Sequence, residues 1–144
     1  MNQVCRVLAL DVGDRRIGVA MSDDQGWLAT PLTTLKAEPR SRALQQIVGL
    51  VQEHRVCEIV VGLPLTLSGD IGPQAQLVKL FVKELESTVE QPVMLFDERL
   101  TSVVAEQMMR DLGIKPAKRK ARIDEIAASI ILQDYLNHSR NQCF

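Results

Sequence analysis

The stretch Arg6-Val-Leu-Ala-Leu-Asp-Val-Gly13 constrains this chain more than any other. An apolar run of this length, closed by a turn residue, reads as a strand covered on both faces. Such a strand needs helices above and below it, which points to an open α/β sheet. A carboxylate at its mouth, Asp11, stands where ligands of such sheets bind. Taken alone, Asp11 reads equally well as the opener of the turn Asp11–Val12–Gly13–Asp14. Its partners elsewhere in the chain have to decide between the two.

Val4 to Asp11 is the first strand, and Arg15 to Ser22 reads as a second, turned back by Gly13–Asp14. A third lies between Trp27 and Lys36, entered through Asp23–Asp24–Gln25–Gly26. Pro31 marks an edge or a bulge. The period then changes. Leu44, Ile47, Val48 and Val51 fall at i, i+3, i+4 and i+7, giving a one-sided helix capped by Ser41. Glu58 to Gly62 is a second buried-type strand, followed by a long turn over residues 63–70. Leu77, Val78, Phe81, Val82 and Leu85 mark a second helix, and Val93 to Asp97 the last strand. Thr101 is expected to cap a helix ending at Leu112 and stopped by Gly113, with Val104, Met108 and Leu112 inward. A polar, basic stretch then ends near Arg122, and a final helix covers Ile123 to about Asn137.

The order is βββαβαβαα. Alternation implies parallel pairing, and right-handed crossovers place the fourth and fifth strands beside the first. The expected product is a three-layer α/β domain. Its five-stranded mixed sheet has strands 1–3 as an antiparallel meander, strands 1, 4 and 5 parallel, and helices on both sides. With 144 residues, 46% of them hydrophobic, the chain supports one core. Residues 1–139 are expected to form that domain, with 140–144 as a tail.

No span approaches the ~20 apolar residues that cross a bilayer. The first residues lack the pattern of a secretory leader, so a cytoplasmic location is expected. Among three cysteines, Cys5 and Cys57 begin apolar runs and read as buried small hydrophobes, with no disulfide expected; Cys143 reads as a tail thiol. A net charge of −1 argues against a global positive field for nucleic acid. Aromatics at 3% make ring stacking a poor source of affinity. His54 and His138 read as surface or capping residues, Met108 and Met109 as helix packing. Ser22 and Ser68 lack the His and Asp partners of a hydrolase nucleophile.

Asp11 ends the first strand and Asp97–Glu98 the fifth. If these strands run parallel, Asp11 and Glu98 share one crevice, floored by the turn Gly62–Leu63–Pro64. Asp124 is expected in the first turn of the final helix. Grouped acids repel one another unless a cation neutralises them, and a hard ion such as Mg²⁺ or Mn²⁺ prefers all-oxygen ligands. Two such ions activate a water and stabilise the leaving oxygen of a phosphodiester. The plain alternatives are a solvated turn residue for Glu98 and a helix-dipole acid, beside Glu125, for Asp124. Lys115, Lys118, Arg119, Lys120 and Arg122 form an acid-free stretch directly before Asp124. Arg15 and Arg16 follow the Asp11 turn, and Arg99 follows Glu98. These cations suit phosphates on either side of the carboxylates, although a charge run is also the ordinary signature of a solvated loop.

Four segments together carry a resemblance. Asp11-Val-Gly-Asp-Arg-Arg-Ile-Gly-Val-Ala20, Val60-Val-Gly-Leu-Pro64, Asp97-Glu-Arg-Leu-Thr-Ser102 and Ile123-Asp-Glu-Ile-Ala-Ala128 resemble the signature segments of the YqgF/RuvX family, the Holliday-junction-resolvase-like pre-16S rRNA nucleases of bacteria. The likeness runs from Val4 to about Leu136. It implies a ribonuclease H-like fold, divalent-metal phosphodiester cleavage and a part in maturing the 5′ end of 16S rRNA. It points to Asp11, Glu98 and Asp124 as the acidic set, and to pre-16S rRNA and ribosomal precursor particles as partners of a monomer or weak homodimer. Gly62–Leu63–Pro64 departs from the acid that RuvC resolvases carry after the fourth strand. Thr66–Leu67–Ser68 departs from the polar turn of the family, and no catalytic role is assigned to it. Two other readings stand: a Holliday junction resolvase acting on four-way DNA, whose symmetry calls for a dimer, and a non-catalytic RNA-binding ribosome-assembly factor. An ATPase of the sugar-kinase superfamily would need a second lobe that this length does not provide.

Overall fold

The structure is a computed structural model that describes residues 5–65, 68–97, 107, 110, 111, 113 and 115–142, the last range without the side chains of 116–121 and 140–142. Strands β1 (Arg6–Val12), β2 (Arg16–Ser22) and β3 (Ala29–Lys36) come first, then helix α1 (Arg40–Glu53), β4 (Val56–Leu63), α2 (Pro73–Glu86), β5 (Val93–Asp97) and α3 (Pro116–Gln142). The sheet order is β3-β2-β1-β4-β5. β1 pairs antiparallel with β2 and β2 with β3, while β1–β4 and β4–β5 are parallel. This is the expected mixed sheet. Pro31 lies on the edge strand β3, opposite Ala20 where the register shifts, so it marks both an edge and a bulge.

Because strand side chains alternate, the sheet has two unlike faces. Leu8, Leu10, Ile17, Val19, Ile59 and Val61 pack under α1 and α2, against Ile47, Val51, Val78, Phe81 and Leu85. Each such side chain contributes about 1.5–3 kcal/mol of burial. The opposite face is built from Val7, Ala9, Ala20 and Val60, which meet Ala128, Ile131, Leu132 and Leu136 of α3.

Several boundaries differ from the sequence reading. α1 begins at Arg40 after an extended Pro39, and no side chain caps it; Ser41 falls inside the first turn, too late to be the cap. α2 buries Ala75, Val78, Phe81, Val82 and Leu85, whereas Leu77 sits off that stripe and is exposed. α3 starts at Pro116, well before Ile123, so the basic stretch from Lys118 is helical rather than a loop. Lys, Arg and Ala are strong helix formers, and proline is at home in the first helical position. Cys5 and Cys57 are not free core thiols. Cys5 directly precedes β1 and Cys57 is the second residue of its parallel neighbour β4, at the irregularity between Arg6 and Val7; their Cα atoms lie 5.5 Å apart and they form a disulfide. Cys5 is exposed and Cys57 half-buried.

Thr101, Val104, Met108 and Leu112 lie outside the described residues. Gln107, Arg110 and Asp111 are helical, and Gly113 ends that segment at φ 73°, donating its N–H to the Arg110 carbonyl. Among the described residues, no helix is long and apolar enough to cross a membrane.

Candidate functional site

Asp11 sits in the last turn-ward part of β1, half-buried. It alternates with Val7 and Ala9, both packed beneath α3, and therefore faces the α3 side of the sheet. Its partner on β2 is Gly18, and Gly18 in turn pairs with Thr34 on β3. Leu10 pairs with Val61, so the next step of that register sets Asp11 level with Gly62, which pairs with Phe96. One row across the sheet thus reads Thr34, Gly18, Asp11, Gly62, Phe96.

Two members of that row are glycines, and Gly18 decides the geometry. A Cβ on Gly18 would lie 1.9 Å from the backbone oxygen of Asp124 and 2.8 Å from the amide nitrogen of Glu125. The backbone of α3 occupies the space where a side chain would stand. Directly opposed antiparallel residues have Cα atoms about 4.5–5.5 Å apart, so Asp124 lands in the immediate neighbourhood of Asp11. The sequence contained this signal: a glycine inside an apolar strand marks a bulge or a close backbone approach.

α3 is held over the row by polar ties along its length. At the near end the Arg16 Nε donates to Asp124 Oδ2 at 2.7 Å. Farther along, Gln133 bonds to the β2–β3 hairpin, accepting from the Ala29 N–H and donating to the Trp27 carbonyl, each at 3.0 Å. Asp23 closes that hairpin by accepting the Trp27 N–H at 2.7 Å; this backbone bond is the main reason its carboxyl lies below the usual 3.8. Tyr135 donates its hydroxyl to Glu58 on β4 and packs edge-on against Phe96. Burial, followed by the Glu58 bond and charge, pushes the Tyr135 hydroxyl up to about 12.

The placement of the other candidates follows. Asp124 is not in the first turn of its helix but about two turns beyond Pro116, which removes the helix-dipole explanation for it. Glu98 and Arg99 lie outside the described residues; Asp97, just before them, pairs with Leu63 at the same end of the sheet. Arg15 is exposed on the β1–β2 turn, which closes through a Gly13 N–H donating to the Arg16 carbonyl at 2.8 Å. Arg16, read from sequence as a phosphate contact, is paired with Asp124. Lys118, Arg119 and Lys120 belong to the first turns of α3, and their side chains lie outside those described. Arg122 is exposed and bonds Glu125 at 3.4 Å.

Among the described residues, no three acid, histidine or cysteine side chains are grouped closely enough to hold a metal ion. The chemistry of the donor set nevertheless suits a hard divalent cation: Asp11 on that row and Asp124 on the helix that covers it, the latter already held by a cation. On the same row, Thr34 Oγ1 is buried and has no hydrogen-bond partner among the described residues.

The family model described as "RuvX: Holliday junction resolvase" matches residues 5–138. The chain belongs to this family. A RuvX relative from Roseiflexus sp. (strain RS-1), named "Putative pre-16S rRNA nuclease", is 61% identical over 135 residues, covering 94% of this chain and 96% of the relative. One from Thermoanaerobacter pseudethanolicus, with the same name, is 43% identical over 138 residues, covering 95% and 99%. Among solved structures, the fold matches T. thermophilus RuvC in complex with a Holliday junction substrate, at a TM-score of 0.57 and 16% identity, over 94% of this chain and 96% of that one. It also matches the fowlpox virus resolvase, at 0.53 and 11%, over 93% and 98%. These two likenesses establish the ribonuclease H-like architecture that the four segments implied.

Proposed function

We propose that this chain is a divalent-metal-dependent endonuclease that processes the 5′ end of pre-16S rRNA in the cytoplasm. The observation that supports the reading is the close approach of the Asp124 backbone to Gly18, the β2 partner of Asp11. The name borne by relatives 61% and 43% identical supplies the substrate class. In this reading Asp11 and Asp124, joined by Glu98 from the end of β5, hold Mg²⁺ or Mn²⁺, as two ions. When bound there, the cation supplies an activated water and charge neutralisation for phosphodiester hydrolysis.

The residues around it divide the remaining work. In this reading Arg15, Arg16 and Arg99, together with Lys118, Arg119, Lys120 and Arg122 from the sequence of the first turns of α3, would grip the backbone phosphates. With few aromatics in the chain, recognition is of backbone and shape rather than of stacked bases. The RNA is met free or within a ribosomal precursor particle, by a monomer or weak homodimer.

The test is a cleavage assay on precursor 16S rRNA with Mg²⁺, with Mn²⁺ and with chelator. Cleavage is expected with either metal and is expected to vanish with chelator and in Asp11→Asn. An Asp11→Asn protein that cuts as fast as wild type would defeat the assignment. The family description favours one competing reading, a resolvase of four-way DNA. Junction DNA belongs in the same assay, and cleavage of the junction by a dimer, with rRNA left intact, would replace the first reading with the second.

A further inference from the structure

Asp124 is the acid that α3 delivers to the site, yet one of its oxygens is already engaged by the Arg16 guanidinium, through Nε to Oδ2 at 2.7 Å. The pair is partly open to water, with 44% of the Arg16 side chain and 21% of the Asp124 side chain exposed. Arg16 and Asp124 are 108 residues apart in sequence, and the bond joins the first residue of β2 to α3. It spans the two elements that meet at Gly18, immediately beside Asp11.

The geometry points to Arg16 as an exchangeable latch: it holds Asp124 until a divalent cation takes its place, and the released guanidinium then meets a substrate phosphate. This inference rests on the metal-site reading above and adds an order of events to it. Its energetics favour exchange over a permanent lock. A single, partly exposed ion pair is weak, whereas a divalent ion held by two or more carboxylates interacts with Asp124 at twice the charge. A guanidinium and a metal ion crowded onto one carboxylate repel each other, so loading the cation drives Arg16 outward. Arg16 starts where β2 leaves the β1–β2 turn, beside exposed Arg15, on the rim where a phosphate backbone would pass. Metal loading and substrate grip thereby become one coupled event. Coupling is reciprocal, so RNA phosphates that capture Arg16 raise the affinity for the cation by the same factor.

The test is Mn²⁺ binding to the full chain without nucleic acid, followed by the loss of the free-ion electron paramagnetic resonance signal. Arg16→Gln is expected to bind Mn²⁺ roughly two- to fivefold more tightly than wild type, the size of a partly exposed ion pair removed from competition. Arg16→Lys restores a cation to the latch and is expected to return affinity toward wild type. Arg42→Gln removes the same charge from α1, on the other face of the sheet, and is expected to change nothing. In an Asp124→Asn background the Arg16→Gln gain should disappear. An Arg16→Gln affinity equal to or weaker than wild type, or a gain that survives Asp124→Asn, overturns the latch. The metal site fails separately: Asp11→Asn is expected to weaken Mn²⁺ binding at least about tenfold, and an unchanged affinity there overturns the site and the latch with it.

Discussion

The two faces of the sheet are built to opposite ends. Under α1 and α2 the strands present Leu8, Leu10, Ile17, Val19, Ile59 and Val61, bulky residues that interdigitate with Ile47, Phe81 and Leu85 and set those helices at ordinary packing distance. Under α3 the corresponding positions are Ala9, Gly18, Ala20, Val60 and Gly62, and the helix meets the sheet there with Asp124 and Ala128. The first face holds the domain together. The second gives up side-chain volume so that a helix backbone reaches the sheet beside Asp11. Stability and site geometry are therefore carried largely by different residues, and substitutions should separate them.

The largest effect is expected on the bulky face. Leu10 is fully buried, and Leu10→Ala should cost about 3 kcal/mol in urea unfolding through lost burial and a residual cavity. Molecules that remain folded should cleave within about twofold of wild type, because α3 does not rest on Leu10. A folded Leu10→Ala protein with collapsed activity would show that the faces are not separable.

Gly18→Ala should cost somewhat less stability, about 2–3 kcal/mol, since its Cβ would collide with the Asp124 carbonyl at 1.9 Å and α3 must retreat. Its cleavage rate per folded molecule should nevertheless fall more than about tenfold, because displacements near 1 Å suffice for losses of that order. Equal activity in Gly18→Ala and wild type would remove the close approach from the account.

Tyr135 sharpens the comparison from the far end of α3. Its hydroxyl, pushed up to about 12 in the folded state from a reference of 10.0, keeps its proton longer than it would in the unfolded chain. Its contribution to stability is thus complete below about pH 10 and is lost as the pH climbs through about 12. Tyr135→Phe should lose about 1 kcal/mol at neutral pH, with the Glu58 bond gone. Its unfolding curves should lack the alkaline decline that Tyr135 causes in wild type.

The smallest effect has the opposite sign. Gly49 lies within α1 with open space around its Cβ position, so Gly49→Ala should add about 0.5–1 kcal/mol. One glycine can be filled at a gain and the other cannot be filled without damage. Local surroundings decide, not residue type.

Much of this fold was legible in the chain. Val93–Asp97 is legible to the residue because an apolar run stopped by an acid has few readings. The parallel set β1, β4, β5 follows from alternation together with right-handed crossovers. What escaped was written in tertiary contacts. Lys118 to Arg122 read as a basic stretch ahead of a helix starting at Ile123, because their charge hides the helix propensity of the same residues. Cys5 and Cys57, 52 residues apart, meet only because β1 and β4 are neighbours in the sheet, which no local pattern reveals. Gly18 carried a readable signal, yet what approaches it comes from a helix more than a hundred residues later. The pairing of Arg16 with Asp124 was out of reach for the same reason: each residue was picked out, one for phosphate and one for metal, without the contact between them.

The central claim is that Asp11 and Asp124 work as one unit although they lie far apart in sequence. A double-mutant cycle on precursor 16S rRNA cleavage tests it, with Asp11→Asn, Asp124→Asn and the double variant in the same Mg²⁺ buffer. If the two carboxylates serve one site, the double variant should be no slower than the worse single variant. Penalties that multiply would mean the two residues act independently, and the account would fail.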